Sequence, residues 1–301
     1  MKLKRGVQEF LNTRKNRPIK IIGISSSNRS RHDCAREDPI SLQILKISLK
    51  EAEKSGAKTE LIELNKLKIG ECKECYSSCP AQCRFNEKLN MCDCYPRKNP
   101  SVFLDDGKFF SLEDAYDKMG KIQFIQHLQD KNFYDEGDEM WKIYKALMEA
   151  DGIIFAGFTN YYSRPALLQK MFSRLCALDG GVEELWGDGK NLSNSIKFSR
   201  NKNMRYNQRL YGKFAGFIIS SKEGDSVTPT LMKACTMMGM RIIPFSVSYV
   251  VNWYSDPTHR SDMKKSLSDS YSINLAKNLG KRIVSEIKNS DRNYGIYSSR
   301  V

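Results

Sequence analysis

The stretch Lys20-Ile21-Ile22-Gly23-Ile24-Ser25-Ser26-Ser27-Asn28-Arg29-Ser30 decides how this chain is read. An isoleucine-rich run stops abruptly and gives way to hydroxyls, an amide and a guanidinium, and a helical pattern follows over residues 40–55. Strand, polar loop and helix in that order build an anion site. The loop offers backbone N–H groups and hydroxyls, and the helix N-terminus adds a partial positive charge. In an open parallel sheet, ligands collect in the crevice beyond the carboxyl ends of the strands. The loop has neither the Gly-x-Gly-x-x-Gly spacing of a dinucleotide site nor the Gly-Lys-Ser/Thr ending of a P-loop. Its hydroxyls suit a terminal phosphate monoester; the plainer reading is a simple connection.

Outward from this stretch the pattern repeats. Residues 19–25, 59–64, 152–156, 214–220 and 241–247 read as five strands; the first is apolar without alternation, as expected of a strand covered on both faces, and the third is again a buried run. Helical periodicity occupies 40–55, 140–150, 165–178, 228–239 and 268–288. Strands alternating with helices, joined by right-handed crossovers, give an α/β fold with a doubly wound five-stranded parallel sheet. The expected organisation is a basic arm at 1–18, one domain over 19–288 and a tail at 289–301. The domain carries a Cys-rich loop at 72–94 and insertions at 99–137 and 180–213, the first with an Asp105-Asp106-Gly107 turn and helical periodicity over 112–129.

The chain has 301 residues, of which 40% are hydrophobic and 28% charged, an ordinary globular balance. No apolar run approaches the ~20 residues that span a bilayer. The start of the sequence has no secretory pattern, so a cytoplasmic location is expected. The net charge of +14 points to anionic partners. Much of it lies in residues 2–20 and 197–213, where Arg200, Lys202, Arg205 and Arg209 alternate with Asn residues, Phe198 and Tyr206. Attraction of phosphorylated small molecules is favoured over nucleic-acid binding, because no helix-turn-helix, RNP or zinc-finger pattern accompanies the charge.

Six of the nine cysteines gather in one segment: Cys72-x-x-Cys75-x-x-x-Cys79-x-x-x-Cys83, then Cys92-x-Cys94. Without a signal peptide, such a cluster indicates metal or redox chemistry in preference to disulfides. Thiolates hold iron–sulfur clusters and structural zinc, and short spacings let one loop wrap a compact centre. Cys34, Cys176 and Cys235 read as core or loop thiols, and His32, His127 and His259 as surface residues.

Taken together these pieces resemble the NADPH-dependent FMN reductase-like branch of the flavodoxin-like fold, and within it the iron–sulfur flavoproteins. Gly23-Ile24-Ser25-Ser26-Ser27-Asn28-Arg29 looks like the family's phosphate loop, with Ser26 and Asn28 where Gly and Pro are usual. Ser41 takes the place of its phosphate-binding Ser/Thr, and residues 143–155, with Glu149-Ala150-Asp151-Gly152-Ile153-Ile154-Phe155, match most closely. Pro165-Ala166-Leu167-Leu168-Gln169-Lys170 and Asn278-Leu279-Gly280-Lys281-Arg282 follow in register.

The resemblance implies a flavodoxin-like fold and FMN as cofactor. Ser25, Ser27, Arg29 and Ser41 would hold the FMN phosphate. Thr159, Asn160, Tyr161, Tyr162 and Ser163 would run along the ribityl chain and one edge of the flavin, and Ser220, Ser221, Lys222, Glu223 and Gly224 would border the ring on the other side. Cys72, Cys75 and Cys79 look like the first three cluster ligands, with Cys83, Cys92 or Cys94 as the fourth; a [4Fe-4S] cubane is the first choice and zinc the second. The implied activity is an FMN-dependent oxidoreductase or electron-transfer flavoprotein, working between NAD(P)H or a redox protein and a small-molecule or protein electron acceptor, and forming a homo-oligomer. No side chain is expected to act as acid or base. The competing reading is a zinc-stapled flavodoxin-like binding module with a basic nucleic-acid-binding surface.

Overall fold

The computed structural model describes residues 17–29, 37–72, 74, 85–86, 91–92, 104–105, 108–109, 138–179, 205–206, 208–221, 224–251, 263–290 and 297–298. Its centre is a five-stranded sheet of β1 (Lys20–Ser25), β2 (Lys58–Glu63), β3 (Gly152–Phe158), β4 (Phe214–Ser221) and β5 (Arg241–Val251). The order across the sheet is β5-β4-β3-β1-β2, and every pairing is parallel. Chain order 2-1-3-4-5 follows: the first strand is inner, β2 lies to one side of it, and β3, β4 and β5 run out on the other. A sheet wound this way has a switch point between β1 and β3, where the loops after the two strands part and leave a crevice.

The described residues form six α-helices: α1 (Ile40–Lys54), α2 (Met140–Glu149), α3 (Ala166–Arg174), α4 (Thr228–Met237), α5 (Met263–Ser268) and α6 (Ser270–Lys288). None is long and apolar enough to cross a membrane. The chain falls into two compact units. One comprises Met1–Lys66, Ala146–Gln169 and Asn207–Tyr297; the other comprises Leu67–Lys145, Lys170–Tyr206 and Ser298–Val301.

The first unit holds the whole sheet. The inner strands are covered on both faces: all of β4 is buried, and so are Ile21, Ile22 and Ile24 of β1, whereas the edge strand β2 (Lys58–Glu63) alternates and is partly exposed. On one face α1 and α6 pack Ile44, Leu45, Leu49, Leu279 and Ile283 against Ile21, Ile154 and Ile218. On the other, Phe155 and Phe217 stack with ring centroids 6.1 Å apart. Polar residues lock the strand starts. Asp151, fully buried, accepts from the Lys20 N–H and from the Arg17 guanidinium, both at 2.8 Å.

The second unit contains two short antiparallel ladders, Phe85–Asn86 with Met91–Cys92 and Leu104–Asp105 with Lys108–Phe109. The second ladder flanks the Asp105-Asp106-Gly107 sequence that reads as a turn. The helices expected over residues 112–129 lie outside the described residues.

Two details differ from the sequence reading. The fifth strand runs on to Val251, because after a register shift between Ile242 and Val247 it resumes pairing along the far half of β4. The last helix starts at Ser270, two residues later than expected, because Asp269 is extended and caps it, accepting from the Tyr271 N–H at 3.1 Å and the Ser272 hydroxyl at 2.6 Å, and the short helix α5 precedes it.

Candidate functional site

The loop after β1 is buried where a connecting loop would be exposed: Ser25, Ser26 and Ser27 are all below 5% accessible. Ser26 bridges to β3, its N–H and its hydroxyl both donating to the Ala156 carbonyl at 2.9 and 3.0 Å. Gly157 makes room for it, because a Cβ there would stand 2.6 Å from the Ser26 oxygen. Ser27 Oγ accepts from the Arg29 N–H at 3.2 Å, which turns the chain back toward α1.

These residues open onto a cavity of about 180 Å³ lined by Ser27, Asn28, Arg29, Pro39, Ile40, Ser41, Phe158 and Ser220. Four of the residues singled out for the phosphate and ring, namely Ser27, Arg29, Ser41 and Ser220, thus share one cavity, although they come from three separate parts of the sequence. Ser25 does not line it. Among the described lining residues the donor set is three hydroxyls, an amide and a guanidinium, with no carboxylate. α1 begins here with Pro39 as its N-cap, which has no side chain to accept a bond, and no acidic residue follows in the first turn. The N–H groups of Ile40, Ser41 and Leu42 have no partner inside the helix, so the first turn presents donors and a positive dipole end. That chemistry fits a phosphate group. Sequence reasoning overlooked Phe158, the apolar wall, although the Gly157-Phe158 step at the end of a buried strand signals it.

The site also carries an unexpected carboxylate. Glu37 Oε2 lies 3.2 Å from Arg29 Nη2, with both side chains about 30% exposed. Any anion in the cavity shares the Arg29 guanidinium with Glu37.

The loop after β3 is tied to the loop after β4. Thr159 donates its N–H to the Ser220 carbonyl at 3.0 Å and its hydroxyl to the Gly224 carbonyl at 3.4 Å, and Ser226 Oγ donates to the Tyr162 carbonyl at 2.8 Å. Asn160 and Ser163 exchange backbone bonds at 2.9 Å, closing a tight turn. Tyr161 and Tyr162 stand at its tip with φ of 44° and 59°, a left-handed conformation that side chains other than Gly, Asn and Asp seldom adopt. They are 88% and 62% accessible, with rings edge to face at 6.0 Å. Two consecutive aromatics in this sparsely populated backbone region are thus presented at the surface. Ser221 is buried and Gly224 is in the left-handed region, while Lys222 and Glu223 lie outside the described residues.

Of the six clustered thiols, only Cys72 and Cys92 are described; Cys75, Cys79, Cys83 and Cys94 lie outside. Among the described residues no group of three or more His, Cys, Asp or Glu could hold a metal ion. Cys72 is half-buried. Cys92 is buried, and its sulfur accepts from Arg174 Nη2 at 3.5 Å. The same guanidinium donates to Asp138 at 2.7 and 3.1 Å and to the Gly70 carbonyl at 3.1 Å. Burial opposes the charge on Arg174, but the Asp138 carboxylate overcomes it and holds the guanidinium above its ordinary range. Tyr144, pushed well up by burial, donates to the Arg174 carbonyl at 2.7 Å, and the Phe85 ring meets its edge.

Arg174 thus pins the chain before the cysteine segment, at Gly70, and the chain near its end, at Cys92. Arg174→Met strips a buried carboxylate of its partner and should cost about 3–5 kcal/mol. Denaturant unfolding followed through the second unit measures this; a loss under ~1 kcal/mol would contradict the pinning role.

No family model matches the sequence, and no curated protein matches it. Likenesses appear among solved structures. RosB, solved with the bound intermediate 8-demethyl-8-formylriboflavin-5'-phosphate, is 14% identical with a TM-score of 0.53, over 90% of this chain and 79% of its own. A flavone reductase is 16% identical with a TM-score of 0.42, over 90% of this chain and 64% of its own. An azoreductase from Bacillus anthracis is 8% identical with a TM-score of 0.41, over 90% of this chain and all of its own. The weaker two add nothing to the assignment, which rests on the parallel order 2-1-3-4-5 and on RosB. On those grounds this chain has the flavodoxin-like fold.

Proposed function

We propose that the protein binds FMN at the cavity beyond β1 and works as a flavin-dependent oxidoreductase. The observation that carries this reading is the meeting of Ser27, Arg29, Ser41 and Ser220 around one cavity at an uncapped helix start. The fold likeness to RosB, whose structure contains a riboflavin 5'-phosphate derivative, supports the same ligand class. Ser27, Ser41 and the first-turn N–H groups of α1 would receive the phosphate, and Arg29 would neutralise it. Ser25, behind them, supports the loop. Thr159, Asn160 and Ser163 would follow the ribityl chain, and Tyr161 and Tyr162 would shield the ring from water. Ser220, Ser221, Lys222, Glu223 and Gly224 would border its other side. Bound FMN supplies hydride and electron chemistry that side chains lack. The chain's own contribution is to position the ring and set its surroundings.

The electron donor is proposed to be NAD(P)H or a redox protein, and the acceptor a small molecule or another protein. The cysteine segment is proposed to carry a thiolate-held [4Fe-4S] centre, supported by the density of thiols over 72–94. Anaerobic purification, a visible spectrum and metal analysis test both cofactors. Flavin bands near ~450 nm with stoichiometric iron and sulfide are expected of them. A colourless protein that does not take up FMN overturns the flavin reading, and zinc in place of iron overturns the cluster.

Glu37 sets the affinity of the site. Glu37→Gln removes one carboxylate that competes for Arg29 and should tighten FMN binding about threefold, the modest gain appropriate to a half-exposed ion pair. Flavin fluorescence titration measures it, and weaker binding by the variant contradicts the competition.

A further inference from the structure

We infer a second ligand site, for a mononucleotide, in the groove between the bulge of β5 and the outer stripe of α6. This does not rest on FMN binding. The groove, about 480 Å³, is lined by Phe245, Leu275, Asn278, Lys281, Arg282 and Ser285. Leu275, Asn278, Arg282 and Ser285 recur at three- and four-residue spacing, so they form one stripe along α6. Facing them, β5 advances from Ile242 to Val247 while β4 advances only from Ala215 to Phe217, so the intervening residues leave the ladder. Phe245 stands in that bulge with φ of 54° and its ring 77% accessible.

A bulge and a proline are common ways to blunt an edge strand, and Pro244 with the register shift already serves that purpose. Neither requires an exposed phenylalanine in a left-handed conformation, which is unfavourable twice over: in backbone strain and in apolar surface left in water. The ring is positioned nonetheless. Arg282 lies over it at 5.2 Å from the centroid, so one face meets a guanidinium and the other meets solvent.

An open aromatic face is a stacking platform for a planar base. Beside it, Lys281 and Arg282 provide charge for a phosphate and Asn278 and Ser285 provide hydrogen bonds, with no carboxylate among the described lining residues. Among the described residues, Lys281 pairs with Glu51 of α1 at 3.9 Å. A planar ring joined to an anion therefore matches the groove, and its volume suits one nucleotide. A second copy of this chain would bring the same two cations and a net charge of +14 against them, which disfavours self-association here.

The test is titration of the full chain, with and without added FMN, with AMP, adenosine and inorganic phosphate, with affinities read by calorimetry and the site located by backbone amide NMR shifts. AMP should bind at least about tenfold more tightly than adenosine or phosphate alone. Phe245→Gly should lower AMP affinity about tenfold while melting no lower than the parent protein, since glycine accepts the backbone that phenylalanine strains. Arg282→Glu should have the same effect on binding through the phosphate. AMP affinity unchanged by both variants overturns the site, as do shifts confined to Ser27 and Ser41. Binding of a single-stranded oligonucleotide without AMP binding overturns the free-mononucleotide assignment. A change of oligomeric state in Phe245→Gly with no effect on AMP marks the face as an interface between copies and overturns it equally.

Discussion

Ser27→Asp should empty the flavin site, with FMN affinity falling by at least about a hundredfold. The Ser27 side chain is 4% accessible and lines the cavity, so a carboxylate placed there cannot turn away into water. At ~4 Å and an intermediate effective dielectric, each pair of like charges costs about 4 kcal/mol, and the phosphate of FMN carries nearly two charges. The new carboxylate would also compete with the ligand for Arg29, as Glu37 already does from outside the lining. Repulsion and competition act in the same direction. Ser27→Ala is the control: it removes one hydrogen bond and should weaken binding only about three- to tenfold. Flavin fluorescence on the two variants separates the cases. FMN affinity in Ser27→Asp within a few fold of the parent would remove the phosphate from this cavity.

Gly280→Ala should be the most damaging small substitution in the first unit. α1 and α6 cross at this residue so closely that an added Cβ would stand 2.1 Å from the Ser48 carbonyl oxygen and 3.2 Å from the Ala52 nitrogen. Both obstacles are backbone, so no rotamer change relieves them; the helices must part. Helix propensity alone favours alanine by about 1 kcal/mol at an interior helical position. Overpacking of a rigid crossing costs about 1–3 kcal/mol and more where backbone must move. Around it Leu45, Leu279 and Ile283 are fully buried and would lose contacts together. The net loss should be about 2–4 kcal/mol, measured by denaturant unfolding. Because α1 also carries Ser41 and the first-turn N–H groups, FMN affinity should fall in the same variant. Undiminished stability would show that the crossing relaxes at no cost.

The parts of this fold that were legible in sequence are those where local chemistry and tertiary environment agree. Ile21, Ile22 and Ile24 are apolar on successive positions, which only a doubly covered strand tolerates, and the serines that follow end it without ambiguity. Ser41 stands at the start of a helix because Pro39 precedes it, so its place beside the loop after β1 is a local inference. What the sequence concealed depends on partners far along the chain. Arg174 looks like a solvated helix residue, and it is buried because Asp138 and Cys92 receive it. Glu37 reads as one charge in a polar loop until its pairing with Arg29 is seen. The short helix α5 before Asp269 was not read from the sequence, because six residues carry too little periodicity to announce a helix. Likewise, a run such as Ile242 to Val247 announces a strand without announcing that its middle leaves the ladder.

The central claim is that the loop after β1 and the start of α1 hold a phosphate, and that this holds the flavin. Titrating flavin-free protein with FMN and with riboflavin, which differ only in that phosphate, measures it most directly. FMN should bind at least about a hundredfold more tightly, as several charge-assisted hydrogen bonds require. Equal affinity for the two flavins would contradict the account.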